Sequence, residues 1–278
     1  MKLQAPMPPH DPDIAALLHE HRRQGHRRAA IAVLALGIVL AALAYAGIFD
    51  WARYHGTART ILQMASDAWP PDFSRLRHWG RPLLETLSMS IGGTALGLAA
   101  ALPLGAVAAR NVCPAWVGAP VVLLLHAARS IPSLLWGILF VAAVGFGPLP
   151  GALALACQSA GVLGKFFAET LEHADPAPAE ALLSQGVSRL GVLRFAVLEQ
   201  VLPFLVDFTL YRWEHNLRAA TTLGIVGAGG LGLEIITAFH LFEYREALAL
   251  ILLVLMLVTL INLGGAWLRS HLAASLRR

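Results

Sequence analysis

Apolar runs long enough to cross a bilayer dominate this sequence, at 29–49, 83–109, 131–149, 150–168 and 244–268. A helix needs about 20 mostly apolar residues to traverse the hydrocarbon layer, where every backbone polar group must bond within its own segment. Such runs specify an all-α membrane protein. The charge content agrees: 14% of the residues are charged, against about 25% in soluble domains. A net charge of +4 is modest, so nucleic acid is not an expected partner. The lipid membrane is.

Charge also sets the layout. Arg22, Arg23, Arg27 and Arg28 precede the first run, and Arg269, Arg277 and Arg278 follow the last. The positive-inside bias then places both termini in the cytoplasm. Two ends on one side require an even number of crossings, which predicts a sixth span at 201–222 despite Asp207, Arg212, Glu214 and Arg218. The layout is a basic cytoplasmic tail at 1–28, a first transmembrane helix at 29–49 and a periplasmic loop at 50–82. A transmembrane domain follows at 83–270, with a cytoplasmic loop at 170–199, and then a cytoplasmic tail at 271–278. Loop 50–82 runs against the bias, with Arg53, Arg59, Arg75, Arg77 and Arg81. Ala44-Tyr45-Ala46 has the form of a signal-peptidase site, but the apolar run passes beyond it, so an uncleaved anchor is expected. Segment 112–130 reads as a cytoplasmic-side helix ending in a break at Ser130-Ile131-Pro132, because proline disfavours helix in the residue before it.

Several chemistries are excluded. Lys165 follows Gly164, but a P-loop would need Gly at 159 and Ser or Thr at 166, where the chain has Ser159 and Phe166. If ATP drives transport, another subunit hydrolyses it. Gly227-Ala228-Gly229-Gly230-Leu231-Gly232 satisfies G-x-G-x-x-G, yet a dinucleotide site needs a βαβ setting that this chain lacks. The glycines read instead as a turn between spans 5 and 6, with a hinge or gate at Gly227, Gly229, Gly230 and Gly232 as the functional version. Cys113 and Cys157 form no disulfide framework. His19, His21 and His26 lack a helical carboxylate partner and read as a solvated tail. Neither H-E-x-x-H nor G-x-S-x-G occurs, so no catalytic residues, metal site or bound cofactor are expected.

Between the fourth and fifth crossings lies a polar helix-forming stretch. Asp175-Pro176-Ala177-Pro178 stops the preceding span and opens a new helix. Glu180 is placed near that helix's positive end, and Gly186 supplies the permissive backbone that a helix end needs. The segment Glu180-Ala181-Leu182-Leu183-Ser184-Gln185-Gly186 resembles the EAA motif of ABC-importer permeases, the coupling helix of that fold. Glu180, Ala181 and Gly186 match it. Leu182 stands for the second Ala and Glu199 for the usual Pro, while Leu202-Pro203 lies one turn later and is a candidate for the missing break. Ala128-Arg129-Ser130-Ile131-Pro132, Gly145-Phe146-Gly147-Pro148-Leu149-Pro150-Gly151, Gly161-Val162-Leu163-Gly164-Lys165, Tyr211–Ala219 and Thr222–Gly232 resemble the phosphonate-importer permease family (PhnE-like), a MetI-like type I permease. The glycine-rich part is also similar to methionine permeases.

The resemblance implies about six transmembrane helices and a permease that pairs with a second copy as a homodimer. It implies two ATP-binding subunits, which carry the ATP and magnesium, and a periplasmic substrate-binding protein. Glu180, Ala181 and Gly186 are then the ATPase-coupling residues. Ionisable groups inside a membrane face a bundle interior or a wet cavity. Glu214 and Arg218, four apart with Glu first, are expected as a structural ion pair. Arg212 and Asn216 are candidates for the translocation path, since guanidinium matches tetrahedral oxyanions. Arg129 is expected to snorkel to the inner interface and Glu85 to lie at the outer one. The function expected is an ATP-driven importer permease for a phosphonate or related phosphorus oxyanion. The alternatives are a permease for another small solute such as methionine, an ion-driven transporter, or an intramembrane enzyme.

Overall fold

The computed structural model describes residues 12–275, without the side chains of 12–24, 26, 52–53, 189–190 and 268–275. The histidines at 19, 21 and 26 and the arginines at 22, 23, 269, 277 and 278 lie outside the described side chains. The chain divides into two compact units, residues 1–64 and 65–278.

The first unit holds α1 (Pro12–Tyr45), α2 (Trp51–Tyr54) and most of α3 (Thr57–Ala68). Its stretch Arg27–Tyr45 is long and apolar enough to cross a membrane. Gly47, at φ +77°, turns the chain, and its carbonyl accepts from Tyr54 Oη at 3.3 Å.

The second unit runs α4 (Gly80–Ala108), α5 (Ala115–Ser130), α6 (Ser133–Val144), α7 (Pro148–Glu172), α8 (Pro176–Ser184), α9 (Arg189–Val192), α10 (Leu198–Leu223), α11 (Gly230–His240) and α12 (Tyr244–Ser275). No strand occurs among the described residues. α4 and α7 form the central pair, packed along most of their lengths. Glycines permit this: a Cβ on Gly93 would lie 2.5 Å from Leu155 Cβ, and one on Gly97 would lie 2.5 Å from Ser159 Cβ. Lipid gives apolar helices no reason to associate beyond close packing, so small residues mark the seam. α10 closes over this pair. Val201, Phe167, Leu171 and Leu125 make a core at one end. Met89, Leu155, Ala220 and Leu223 make a second, and Trp79, Leu231, Ala238 and Leu250 a third.

For the expected spans at 29–49, 83–109, 150–168 and 244–268, the continuous helices long and apolar enough to cross a membrane are Arg27–Tyr45, Gly80–Ala108, Pro148–Glu172 and Tyr244–Trp267, and among the described residues up to six crossings result when each of two bent helix pairs counts as one. The expected span at 131–149 is corrected. Its helix, α6, has only 12 residues and forms one arm of a pair with α5, bent by 92°. The break falls at Ile131-Pro132, where the proline disfavours helix in the residue before it. Trp136 Nε1 donates back across the bend to the Ala128 carbonyl at 3.2 Å. The polar 201–222 segment, expected as a span, is helical throughout in α10 and, with α11, makes the second bent pair, at 46°. Pro203 does not break α10. The helix runs through it, preceded by a wider π turn at Leu193–Val197.

The segment before α4 is not a free loop. Arg245 Nε donates to the Pro70 carbonyl at 2.8 Å, and Arg75 pairs with Glu246 at 2.9 Å. The Ser74 N–H donates to Asp72 Oδ1 at 2.8 Å and, as the largest of several causes, holds that carboxyl below its ordinary range. Residues 70–79 are thereby strapped to the start of α12.

Candidate functional site

α8 is an exposed helix built by its ends. Asp175 caps it, accepting from the Ala177 N–H at 2.9 Å, and Pro176 occupies the first turn, where its missing N–H costs nothing. At the other end Gly186 has φ +78°. Its N–H donates to the Leu183 carbonyl at 3.0 Å and the Val187 N–H to the Leu182 carbonyl at 3.1 Å, the paired bonds of a Schellman stop. No residue of α8 is buried. Glu180 and Ala181 are both exposed. Glu180 is the fifth residue of the helix, beyond the first turn, so the expectation that it serves the positive end is corrected: Asp175 does that.

One side chain ties this helix's start to α10. Gln200 Oε1 accepts from the Asp175 N–H at 2.9 Å. Its Nε2 donates to the Asp175 carbonyl at 3.2 Å and to the Ala196 carbonyl at 3.0 Å.

Inside the bundle, α4, α7 and α10 converge on a polar cluster. Arg212, only 6% exposed, donates from Nε to Ser159 Oγ at 3.0 Å and from Nη2 to Gln158 Oε1 at 2.8 Å. Asn216, fully buried, donates from Nδ2 to Ser159 Oγ at 2.8 Å and to Thr94 Oγ1 at 2.9 Å. Trp213 Nε1 donates to Ser90 Oγ at 3.3 Å. Asn216 Oδ1 is buried with no hydrogen-bond partner. The guanidinium's two partners are neutral, so its charge meets hydrogen-bond dipoles there. Glu214 is also buried, at 8% exposure, whereas Arg218 is exposed. The two therefore sit in different surroundings.

The glycine-rich turn is a junction between distant segments. Gly227, Gly229 and Gly230 all have positive φ, a conformation that costs glycine little. The Gly230 N–H donates to Glu85 Oε2 at 3.0 Å, and the Leu231 N–H to Thr86 Oγ1 at 2.9 Å. Those two α4 side chains satisfy two of the four free donors at the start of α11. A Cβ at Gly232 would overlap the Thr221 carbonyl, so only glycine fits there. The Gly147 N–H donates to the Gly227 carbonyl at 3.1 Å. A cavity of ≈ 710 Å³ opens beside the turn, lined by Arg81, Glu85, Phe146, Ile225 and Leu233 among others. Among the described residues no group of histidine, cysteine and carboxylate side chains is placed to hold a metal.

Residues 101–278 match the family of binding-protein-dependent transport system inner membrane components. The chain belongs to that family. Among its relatives is a phosphite transport system permease protein, PtxC of Stutzerimonas stutzeri, 46% identical over 86% of this chain and 87% of that protein. The phosphate-import permease protein PhnE of Mycolicibacterium smegmatis is 40% identical over 68% of this chain, which spans only 36% of that longer protein. In structure the chain resembles a chain of the inward-facing MetNI methionine ABC transporter, with a TM-score of 0.63 over 72% of this chain and 99% of that one. At 22% identity that likeness speaks for the fold alone. The protein is thus a multi-pass permease component of the inner membrane.

In this permease the sequence-predicted residues fall into three separate places. Glu180, Ala181 and Gly186 lie on the exposed helix, Arg212 and Asn216 share Ser159 in the bundle, and the glycines form the turn. The sequence reading missed Gln200, Ser159 and Thr94. Glu85, expected at the outer interface, accepts from the Gly230 amide at 3.0 Å and pairs with Arg81 at 3.0 Å. Arg129 bonds His126 Nδ1 at 3.1 Å and is only partly buried.

Proposed function

We propose that this permease carries a phosphonate or a related phosphorus oxyanion, phosphite among them, into the cytoplasm, driven by ATP hydrolysed on separate subunits. The observation that carries this reading is the 46% identity to a phosphite permease across nearly the whole length of both chains. The burial of Arg212 among neutral partners supports it. A cation enclosed by membrane helices and hydrogen-bonded there to uncharged groups attracts anions. Arg212 and Asn216 are assigned to the path on that ground.

The assembly is a second copy of this chain, two ATP-binding subunits and a periplasmic substrate-binding protein. α8 faces the cytoplasm, and Glu180, Ala181 and Gly186 form its contact with the ATPase. Closure of the ATPases on ATP pushes α8, and the glycine turn at 227–232 hinges α11 against α10 as access alternates. The test is reconstitution of the chain with its ATP-binding subunit and binding protein in proteoliposomes. Phosphite, phosphate, an alkylphosphonate and aminoethylphosphonate are then compared for stimulation of ATP hydrolysis and for uptake. Stimulation by phosphorus oxyanions and not by methionine is expected. Uptake that needs no ATPase and collapses with the proton gradient refutes the reading.

A further inference from the structure

We propose that Gln200 is the positioning residue that makes α8, the end of α7 and the start of α10 move as one body. The proposal rests on the reading of α8 as the ATPase-docking helix.

Two stretches of chain leave α8. One runs back through Asp175 and His173 into α7, and the other runs forward through residues 185–197 into α10. The forward route is compliant. It contains the positive-φ Gly186, the four-residue helix α9 and the π turn at Leu193–Val197. It is followed by Pro203, which lacks the N–H that would bond the Glu199 carbonyl. A push on α8 along this route alone would be absorbed by local bending. Such bending is located at π turns and prolines.

Gln200 bypasses it. Its amide accepts from the Asp175 N–H and donates to the Asp175 carbonyl, gripping one residue from both sides. The same Nε2 donates to the Ala196 carbonyl and so stiffens the end of the π turn. Asp175 is itself the cap of α8 through Ala177. One side chain therefore joins the docking helix's first turn to α10 directly, beside the packed cluster of Val201, Phe167 and Leu171. From residue 200 to Arg212 the helix spans about 18 Å. A displacement at the clamp enters α10 beyond the π turn and has only Pro203 left to cross before it reaches Arg212 and Asn216.

The test uses the full complex in proteoliposomes. Spin labels are placed at Leu183 on α8 and Leu202 on α10, both half exposed. Their distance is measured without nucleotide and with ATP trapped, in the wild type, in Gln200→Leu and in Gln200→Glu. Glutamate keeps the acceptor for the Asp175 N–H and loses both donors. The wild type is expected to give one narrow distance in both states. Gln200→Leu is expected to broaden the distribution and shift it on nucleotide binding, with Gln200→Glu in between. In the same vesicles phosphite uptake per ATP is expected to fall roughly five- to tenfold in Gln200→Leu, the factor set by the loss of the two bonds to Asp175, while ATP hydrolysis continues. A wild-type distance that changes with nucleotide overturns the proposal. So does a Gln200→Leu distribution identical to that of the wild type, or loss of hydrolysis in step with uptake. If the label at 183 stays freely mobile when the ATP-binding subunits are present, the docking reading fails instead. If it is immobilised and Gln200→Leu changes nothing, docking stands and the clamp falls.

Discussion

Replacing Ser159 by alanine removes one oxygen from the bundle and strands two donors. Ser159 is fully buried, and its Oγ accepts from Arg212 Nε at 3.0 Å and from Asn216 Nδ2 at 2.8 Å. Its Cβ already lies against the backbone of Gly97, so alanine fits without strain and the loss is polar. An unsatisfied buried donor costs about 1–3 kcal/mol, more when it is charged. Arg212 retains its bond to Gln158, and Asn216 retains its bond to Thr94. The expected destabilisation is therefore roughly 3–4 kcal/mol and not the full sum of two isolated losses. Unfolding by titrated denaturant in bicelles measures it. A second arm repeats Ser159→Ala in an Arg212→Met background, where only the Asn216 donor is left to strand. There the same substitution is expected to cost about 1–2 kcal/mol, and the difference is the coupling between the two residues. A single-mutant cost below about 1 kcal/mol, or costs that simply add in the cycle, would refute the view that this cluster locks α7 to α10.

Three further outcomes are expected. Gly186→Glu meets no neighbour within 4 Å of the new Cβ, so its cost is the positive φ itself, about 1–2 kcal/mol; uptake per ATP is expected to drop while the chain still folds, and full transport would sink the coupling role of Gly186. Glu85→Ala strips the acceptor from the Gly230 amide and is expected to speed hydrogen exchange at residue 230 by about tenfold or more, while Glu85→Gln, which keeps an acceptor, restores most of the protection. Pro132→Ala is expected to leave the bend in place, because Trp136 bonds Ala128 across it and Gly137 seats against Leu223. Labels at Trp116 and Val144 should then read about 30 Å, where a straight helix would give about 42 Å.

The crossings legible in the sequence were those whose signal is local. Continuous apolar runs at 83–109, 150–168 and 244–268 became α4, α7 and α12, and the charged 201–222 segment, which hydropathy alone rejects, is helical throughout in α10. The run at 131–149 misled because a hydropathy average does not register direction. Gly145 and Gly147, both at positive φ, end α6 inside a stretch that still reads as apolar. Pro132 marked the break, but neither its 92° angle nor the length of each arm is written in the residues beside it. At the candidate site, the caps of α8 were legible because Asp, Pro and Gly act within a turn of their own position. Glu85 and Gln200 were not, since their partners lie 145 and 25 residues away and neither belongs to a motif.

The polar cluster falls between these cases. Arg212 looked costly because hydropathy scores a residue alone. Its burial is tolerable because α7 brings it two uncharged acceptors, Ser159 and Gln158, while α4 answers its neighbours Trp213 and Asn216, and those helices carry a signal of their own. Ser90 and Thr94 stand four apart in an apolar run, and so do Arg212 and Asn216, a spacing that places each pair on one helical face. Ser159 lies within another apolar run and is the hydroxyl that both α10 residues reach. Lipid offers no hydrogen bond; the Ser90 and Thr94 hydroxyls donate to their own helix, to the Leu87 and Ser90 carbonyls, and a neighbouring helix supplies the donors that their remaining lone pairs accept. Polar residues repeating at that interval within apolar runs on different spans therefore mark, in the sequence itself, which helices pack together. Applied to this chain, that rule pairs α4 with α10, whose Asn216 spends both amide hydrogens on the neighbouring helices and keeps a buried Oδ1 without a hydrogen-bond partner in the cluster.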